Sequence, residues 1–231
     1  MTIFSANLQA VRARIAAAAL AAGRAPESIQ LLAVSKTWPA AAVRAVAAAG
    51  QRAFGESYLQ EALPKIAELS AQLPPHAIEW HFIGPLQSNK TQAVASHFDW
   101  VHSVDREKIA ARLSSQRPKG LPPLQVCLQV NISGEAAKSG VAPADLPALA
   151  QAVARLPGLR LRGLMAIPAP AASIEAARAP FARLRELSLQ LNSEGLKLDT
   201  LSMGMSDDLE AAIAEGATIV RVGRAIFGER A

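Results

Sequence analysis

Leu31-Leu32-Ala33-Val34-Ser35-Lys36-Thr37-Trp38-Pro39 decides the fold: an apolar run of strand length stops on a single amine, turns, and leads into the alanine-rich stretch 40–49. This is one βα unit with a lysine at the strand's exit. Ligands of α/β folds bind outside the carboxyl ends of the strands, so an amine there sits where chemistry is done. As an ordinary lysine, Lys36 is a solvated charge that ends a strand. As a functional one, it is partly desolvated by apolar neighbours; its pKa falls from about 10.4, and more of the neutral form is left to condense with an aldehyde. Position alone leaves both readings open.

The same unit recurs on both sides of this stretch. Strand-like runs fall at 29–35, 52–54, 79–83, 100–103, 124–131, 159–165, 200–203 and 218–222, with helical runs between them at 40–49, 59–69, 89–95, 106–114, 146–155, 174–192 and 207–215. A further helix, 4–22, precedes the first strand. The alternation continues without a Gly/Ser linker or a break in composition, which reads as one domain over 1–231. Eight βα units predict a single (β/α)8 TIM-type barrel with an additional N-terminal helix; an open doubly wound sheet is the alternative, since strand order is not written in one sequence.

Composition narrows the function classes. Apolar residues make up 51% of the 231 and charged residues 19%, enough to bury a substantial core and too apolar for a disordered chain. The net charge of +5 would permit nucleic-acid binding, but the arginines are dispersed and one Tyr with three Trp offers no stacking platform, so no nucleic-acid partner is expected. The excess charge suits solubility or the steering of anionic ligands. Arg12, Arg14 and Arg24 interrupt the apolar N-terminal run, and no apolar run approaches the ~20 residues of a membrane span, so no membrane association and a cytoplasmic location are expected. Cys127, the single cysteine, lies in Leu124-Gln125-Val126-Cys127-Leu128 and reads as a reduced core thiol.

If the barrel forms, its strand ends are the candidate site. The last two, Ser202-Met203-Gly204-Met205-Ser206-Asp207-Asp208 and Arg221-Val222-Gly223-Arg224, carry the strongest signal after Lys36. Loops after strands seven and eight, with the start of a short extra helix, often bind phosphate in barrels, and Ser202, Gly204, Gly223 and the backbone of Arg224 suit that task. Ordinary turn chemistry also explains such residues, with Ser206 or Asp207 as a helix N-cap. His81 reads equally as a hydrogen-bonded core histidine. Arg221 is harder to explain so. A guanidinium at the end of Thr218-Ile219-Val220 costs several kcal/mol to bury unless a carboxylate or a ligand meets it.

LLAVSKTWP, FGESYLQEA, WHFIGPLQSNK, VHSVDREKIA, QVNISGEAAKSG, GLMAIP and LSMGMSDDLEAAIAEGATIVRVGRAIFG together resemble the YggS-type pyridoxal-phosphate homeostasis proteins, from about Leu31 to Arg230 and in the family's order. The resemblance implies a pyridoxal-phosphate-binding barrel similar to the N-terminal domain of alanine racemase. It further implies that Lys36 forms the internal aldimine with C4′ of pyridoxal 5′-phosphate. By the same resemblance Ser202, Gly223 and Arg224 hold the phosphate, Arg221 faces the pyridine nitrogen and keeps it unprotonated, and His81, Ile83 and Met165 line the pocket.

The chain departs from the family pattern twice. Ser57 stands where the family has asparagine; it is shorter and lacks the amide donor, so a contact to the cofactor oxygen is lost or left to water. Arg224 replaces a threonine beside the phosphate, so a guanidinium or the backbone alone must serve there. A racemase needs two bases, one on each face of the carbanion, and only Lys36 is supplied with clarity. The resemblance therefore implies an intracellular carrier or buffer of pyridoxal 5′-phosphate without robust catalysis, a monomer that passes the cofactor to pyridoxal-dependent apoenzymes. The rival reading is a pyridoxal-dependent amino-acid racemase or lyase, with His81 or Tyr58 as the second acid/base. A barrel that binds another phosphate ligand, with Lys36 as an ion-pair donor, is the third.

Overall fold

The computed structural model describes residues 2–135, 139–170 and 173–229; the middle of the QVNISGEAAKSG segment, 136–138, lies outside them, as do both chain ends. The strands β1 (Gln30–Val34), β2 (Ala53–Glu56), β3 (Glu79–Phe82), β4 (Trp100–Val104), β5 (Leu124–Gln129), β6 (Leu159–Met165), β7 (Thr200–Ser202) and β8 (Ile219–Val222) pair in chain order, and β8 returns to β1. Each pairing is parallel. The sheet is therefore closed, as the repeat predicts, and the open doubly wound alternative is excluded.

Between the strands lie α2 (Ala40–Ala48), α3 (Leu59–Gln72), α4 (Thr91–His97), α5 (Glu107–Gln116), α6 (Leu146–Ala154), α7 (Ile174–Ser193) and α8 (Leu209–Ala214); α1 (Ile3–Ala21) precedes them and α9 (Arg224–Phe227) follows β8. Strands covered on both faces must be apolar on both, which is why β1 reads Leu-Leu-Ala-Val instead of alternating. Leu32, Ala53 and Ile219 meet inside the barrel; Ala33, Phe54 and Val220 face the helices. α1 buries Leu8, Val11, Ile15 and Ala19, a single helical stripe, and its Asn7 amide donates to Ile226 O of α9 at 3.0 Å. None of the described helices is long and apolar enough to cross a membrane.

Most element ends shift by a residue or two from the sequence expectation, and two of the differences bear on the site. β2 continues past Phe54 to Glu56, because Gly55 turns inward where a Cβ would come within 3.2–3.4 Å of Ile83 and Leu32, so glycine here serves close packing and ends no strand. α3 runs on to Gln72 through Pro64, which stands in the helix's second turn. Cys127 is fully buried between Trp100 and Met165, and burial pushes its thiol up to about 12, so it is the inert core thiol expected.

Candidate functional site

Lys36 follows β1 and is half-buried at the barrel's C-terminal mouth. Its turn is fixed by an aromatic stack: Trp38 lies on Phe227 of α9 at 5.7 Å, and Phe4 of α1 packs edge-on against Trp38. The two ends of the barrel seam are thereby held together, with the lysine two residues past β1 and the start of α9 after β8. Gly223 completes that approach, since a Cβ there would lie 3.3 Å from Val34 O. On the opposite rim Gly84 lets the third loop touch the second; a Cβ would fall 2.2 Å from the carbonyl oxygen of half-buried Ser57.

Arg221 points into the barrel and is 4% exposed. Its Nη1 donates to Ser202 O at 2.6 Å and Ser202 Oγ at 2.8 Å, and its Nη2 to Ala166 O at 2.9 Å. All three acceptors are neutral; among the described residues no carboxylate hydrogen-bonds this guanidinium. Burial lowers its pKa to about 10, partly countered by Asp208, which leaves it charged at neutral pH.

From Ser202 a chain of hydrogen bonds crosses the barrel. His102 Nδ1 lies 2.7 Å from Ser202 Oγ, His102 Nε2 is 2.9 Å from His81 Nδ1, and His81 Nε2 is 2.7 Å from Glu79 Oε1. An ionised carboxylate only accepts, so His81 Nε2 carries the hydrogen at that end. With neutral rings every other link then follows: His102 donates to His81, and the Ser202 hydroxyl donates to His102 while accepting from Arg221. Burial above all, with the positive charge of Arg221 nearby, holds the His102 pKa well below its usual 6.5, which fits the neutral ring. The hydrogen bond from His81 in turn lowers the Glu79 carboxyl.

This network places several expected site residues differently. Ser202 is fully buried, and its hydroxyl lies between His102 and Arg221 inside the barrel. His81 is fully buried, stacked on Trp100 at 5.3 Å, with both nitrogens occupied, and presents neither to the mouth. Met165 is fully buried in the interior, whereas Ile83 is half-buried and packs against Leu32, Ala53 and Ile219.

In the seventh loop the helix cap is Asp208, and not Ser206 or Asp207; its Oδ1 accepts the Met205 N–H. Gly204 has φ +93, and a Cβ on it would meet Ala212 at 2.6 Å, so this turn admits only glycine. Ser206 is half-buried on that loop. Arg224 is exposed and its Nη2 donates to Asp207 Oδ2 at 2.5 Å, tying the seventh loop to the eighth.

Sequence reasoning missed His102 and a buried ion pair beside Lys36. Glu56 Oε1 accepts from Lys65 Nζ and from Ser35 Oγ, each at 2.6 Å. A signal for the pair exists: Glu56 is a charge in a stretch whose neighbours are all buried, and Lys65 falls on the apolar stripe of α3 with Ala62, Ile66 and Leu69.

A closed parallel barrel with an amine at the first strand's exit and a buried arginine on the eighth strand defines a ligand-binding barrel of the alanine racemase type. The sequence profile of the alanine racemase N-terminal domain matches residues 6–231. The pyridoxal phosphate homeostasis protein of Pseudomonas aeruginosa PAO1 is 69% identical, over all of this chain and 97% of its own length. Its namesake in Escherichia coli K12 is 55% identical over 97% of this chain and 95% of its own. PipY of Synechococcus elongatus PCC7942, solved with PLP bound, is 40% identical and superposes with a TM-score of 0.85, covering 97% of this chain and 100% of that one. The chain belongs to the family of pyridoxal phosphate homeostasis proteins.

The residues present suit that cofactor. A half-buried amine stands at the mouth for an aldehyde, a guanidinium with only neutral partners stands where a second cation is unfavourable, and a glycine-bounded strand end opens into α9 beside it.

Proposed function

We propose that the protein binds pyridoxal 5′-phosphate at the barrel mouth, attached covalently through Lys36, and serves in the cytoplasm as a monomeric carrier that limits the free aldehyde and passes it to pyridoxal-dependent apoenzymes. The observation that carries this reading is the β1–β8 seam, where Lys36 follows the end of one strand and Arg221 lies on the other, opposite Leu32, in a family whose member PipY has been solved with PLP bound. When bound, the cofactor supplies a reactive aldehyde and an electron-withdrawing ring.

Lys36 would supply the neutral amine for an aldehyde carbon, giving up its two hydrogens with the oxygen as water, without change of oxidation state. Arg221 cannot accept a proton and disfavours a second positive charge beside it, so it holds the ring nitrogen unprotonated and weakens the electron sink. The backbone at Gly223 and Arg224 holds the phosphate, with Ser202, hydrogen-bonded to Arg221, as the hydroxyl of the same corner. Ile83 and Ser57 border the ring.

The placement of the two alternative acid/base groups argues against a racemase or lyase. Both His81 nitrogens are taken inside the barrel, and Tyr58 is 49% exposed on the rim. Borohydride reduction of the protein mixed with pyridoxal 5′-phosphate, followed by peptide mapping, tests the attachment: the label is expected on Lys36 and absent from Lys36→Ala. Label elsewhere, or none, rejects it. Racemisation or lyase activity lost in His81→Ala or Tyr58→Phe would establish the enzyme instead.

A further inference from the structure

The turn that carries Lys36 is held from both sides by one helix. On the N-terminal side, the Ser35 carbonyl accepts from Lys65 Nζ at 2.9 Å as well as from the Trp38 N–H at 3.1 Å. On the C-terminal side, the Thr37 N–H donates to Glu61 Oε2 at 2.9 Å. Glu61 and Lys65 stand four residues apart on α3, so they lie on one face, one turn above the other. The two peptide units flanking Lys36 are thus gripped by successive turns of the same helix.

Two further features separate this from an ordinary strand-exit turn. Thr37 has φ +70, a left-handed conformation that a β-branched residue rarely adopts and that a simple turn would assign to glycine or asparagine. Such strain persists only where neighbours over-determine it, and it gathers at working sites. The grip is also anchored in the interior: Lys65 Nζ pairs with Glu56 Oε1 at 2.6 Å, the Ser35 hydroxyl donates to the same oxygen, and the fully buried Glu56 leaves Oε2 without a partner. Burial raises the Glu56 carboxyl, and Lys65 only partly offsets this. A charged cluster kept dry at such a cost, directly under the lysine turn, points to a demand for one fixed geometry.

We propose that Glu61 and Lys65 are positioning residues for Lys36: α3 holds the amine-bearing turn in one conformation, so that capture of a phosphorylated aldehyde is fast, while the rest of the pocket binds the ring and phosphate independently. This rests on the covalent role of Lys36 proposed above. It assigns a function to FGESYLQEA, whose Glu56 and Glu61 both reach this turn.

The test separates capture from pocket binding. The rate of covalent capture is followed by the growth of the bound pyridoxal absorbance, with the borohydride label mapped to Lys36. Pocket binding is followed by the affinity for pyridoxine 5′-phosphate, which has an alcohol in place of the aldehyde. Glu61→Ala, an exposed change that leaves the core intact, should slow capture about tenfold with pyridoxine 5′-phosphate affinity unchanged. Glu61→Gln, which keeps an acceptor for Thr37 N–H, should restore it.

Lys65→Arg should retain more of the capture rate than Lys65→Met. Capture within twofold of wild type in Glu61→Ala overturns the proposal. So does a parallel fall of capture and pyridoxine 5′-phosphate affinity, which would mean loss of structure. Wild-type protein that captures without labelling Lys36 instead sinks the covalent reading, and this proposal with it.

Discussion

Two buried cations stand beside the barrel mouth, and they are held in opposite ways. Lys65, with 5% of its side chain exposed, meets the carboxylate of Glu56 at 2.6 Å; Arg221, 4% exposed, meets only carbonyls and a hydroxyl. The first charge is neutralised where it sits, so its field at the mouth is small and its work is mechanical. The second is solvated by dipoles, with no carboxylate hydrogen-bonded to it and Asp208 offsetting it only in part, so its field reaches whatever ligand enters. The contrast indicates that a buried charge with a partner fixes geometry, whereas one with only neutral partners tunes chemistry.

The comparison is broken most directly by removing each charge. Lys65→Met strands Glu56 in the interior and should cost about 3–5 kcal/mol in urea unfolding, most of it recovered when Glu56→Gln is added. A loss below about 1 kcal/mol would mean that the pair is not a unit. Arg221→Met should cost less, roughly 1–2 kcal/mol, because relief of an unpaired buried charge offsets the three acceptors left unsatisfied. It should also shift the absorbance of bound pyridoxal 5′-phosphate, which Lys65→Arg should leave in place. Equal losses from the two variants would erase the distinction.

The difference between the two corners also explains what could be read in the sequence. Lys36 and Arg221 were legible because each is a charge at the end of an apolar run, and both partners of the seam belong to one βα pattern. The barrel was legible for the same reason, since eight short apolar runs alternate with helices, but an open doubly wound sheet covers both strand faces too, and only the pairing of β8 with β1 excludes it. The role of Ser202 was not legible, because its partner His102 is 100 residues away in sequence and meets it only once the barrel closes. Lys65 was hidden inside an otherwise apolar helix stripe, and Glu56 behind Gly55, which looks like a turn residue until Ile83 and Leu32 are seen to press on it.

Acid sharpens the contrast from the Arg221 side. The folded state resists protonating His102, while an unfolded histidine takes up a proton below its ordinary 6.5; the unfolded chain then binds more protons, and stability falls as pH drops below that value. The effect approaches but does not exceed about 1.4 kcal/mol per pH unit. Between pH 6.5 and 5.5, above the range where Glu79 begins to titrate, wild type should lose roughly 1 kcal/mol more than His102→Gln in urea unfolding. Identical slopes would show that His102 accepts the proton when folded, and the one-directional chain from Arg221 to Glu79 would be wrong.

The smallest effect belongs to an exposed cation at the mouth. Arg224 and Asp207 pair at 2.5 Å with 58% and 80% of their side chains exposed, so solvent screens them and the pair contributes at most about 0.5 kcal/mol. Arg224→Ala should therefore leave stability within error. If phosphate is held by the backbone at Gly223 and Arg224, affinity for pyridoxal 5′-phosphate should fall by less than about threefold, and Arg224→Thr, which restores the hydroxyl of the family pattern, should match or exceed wild type. A loss of tenfold or more in Arg224→Ala would mean that the guanidinium leaves Asp207 for the ligand. The eighth-strand seam would then hold two working arginines, one buried and one recruited from solvent.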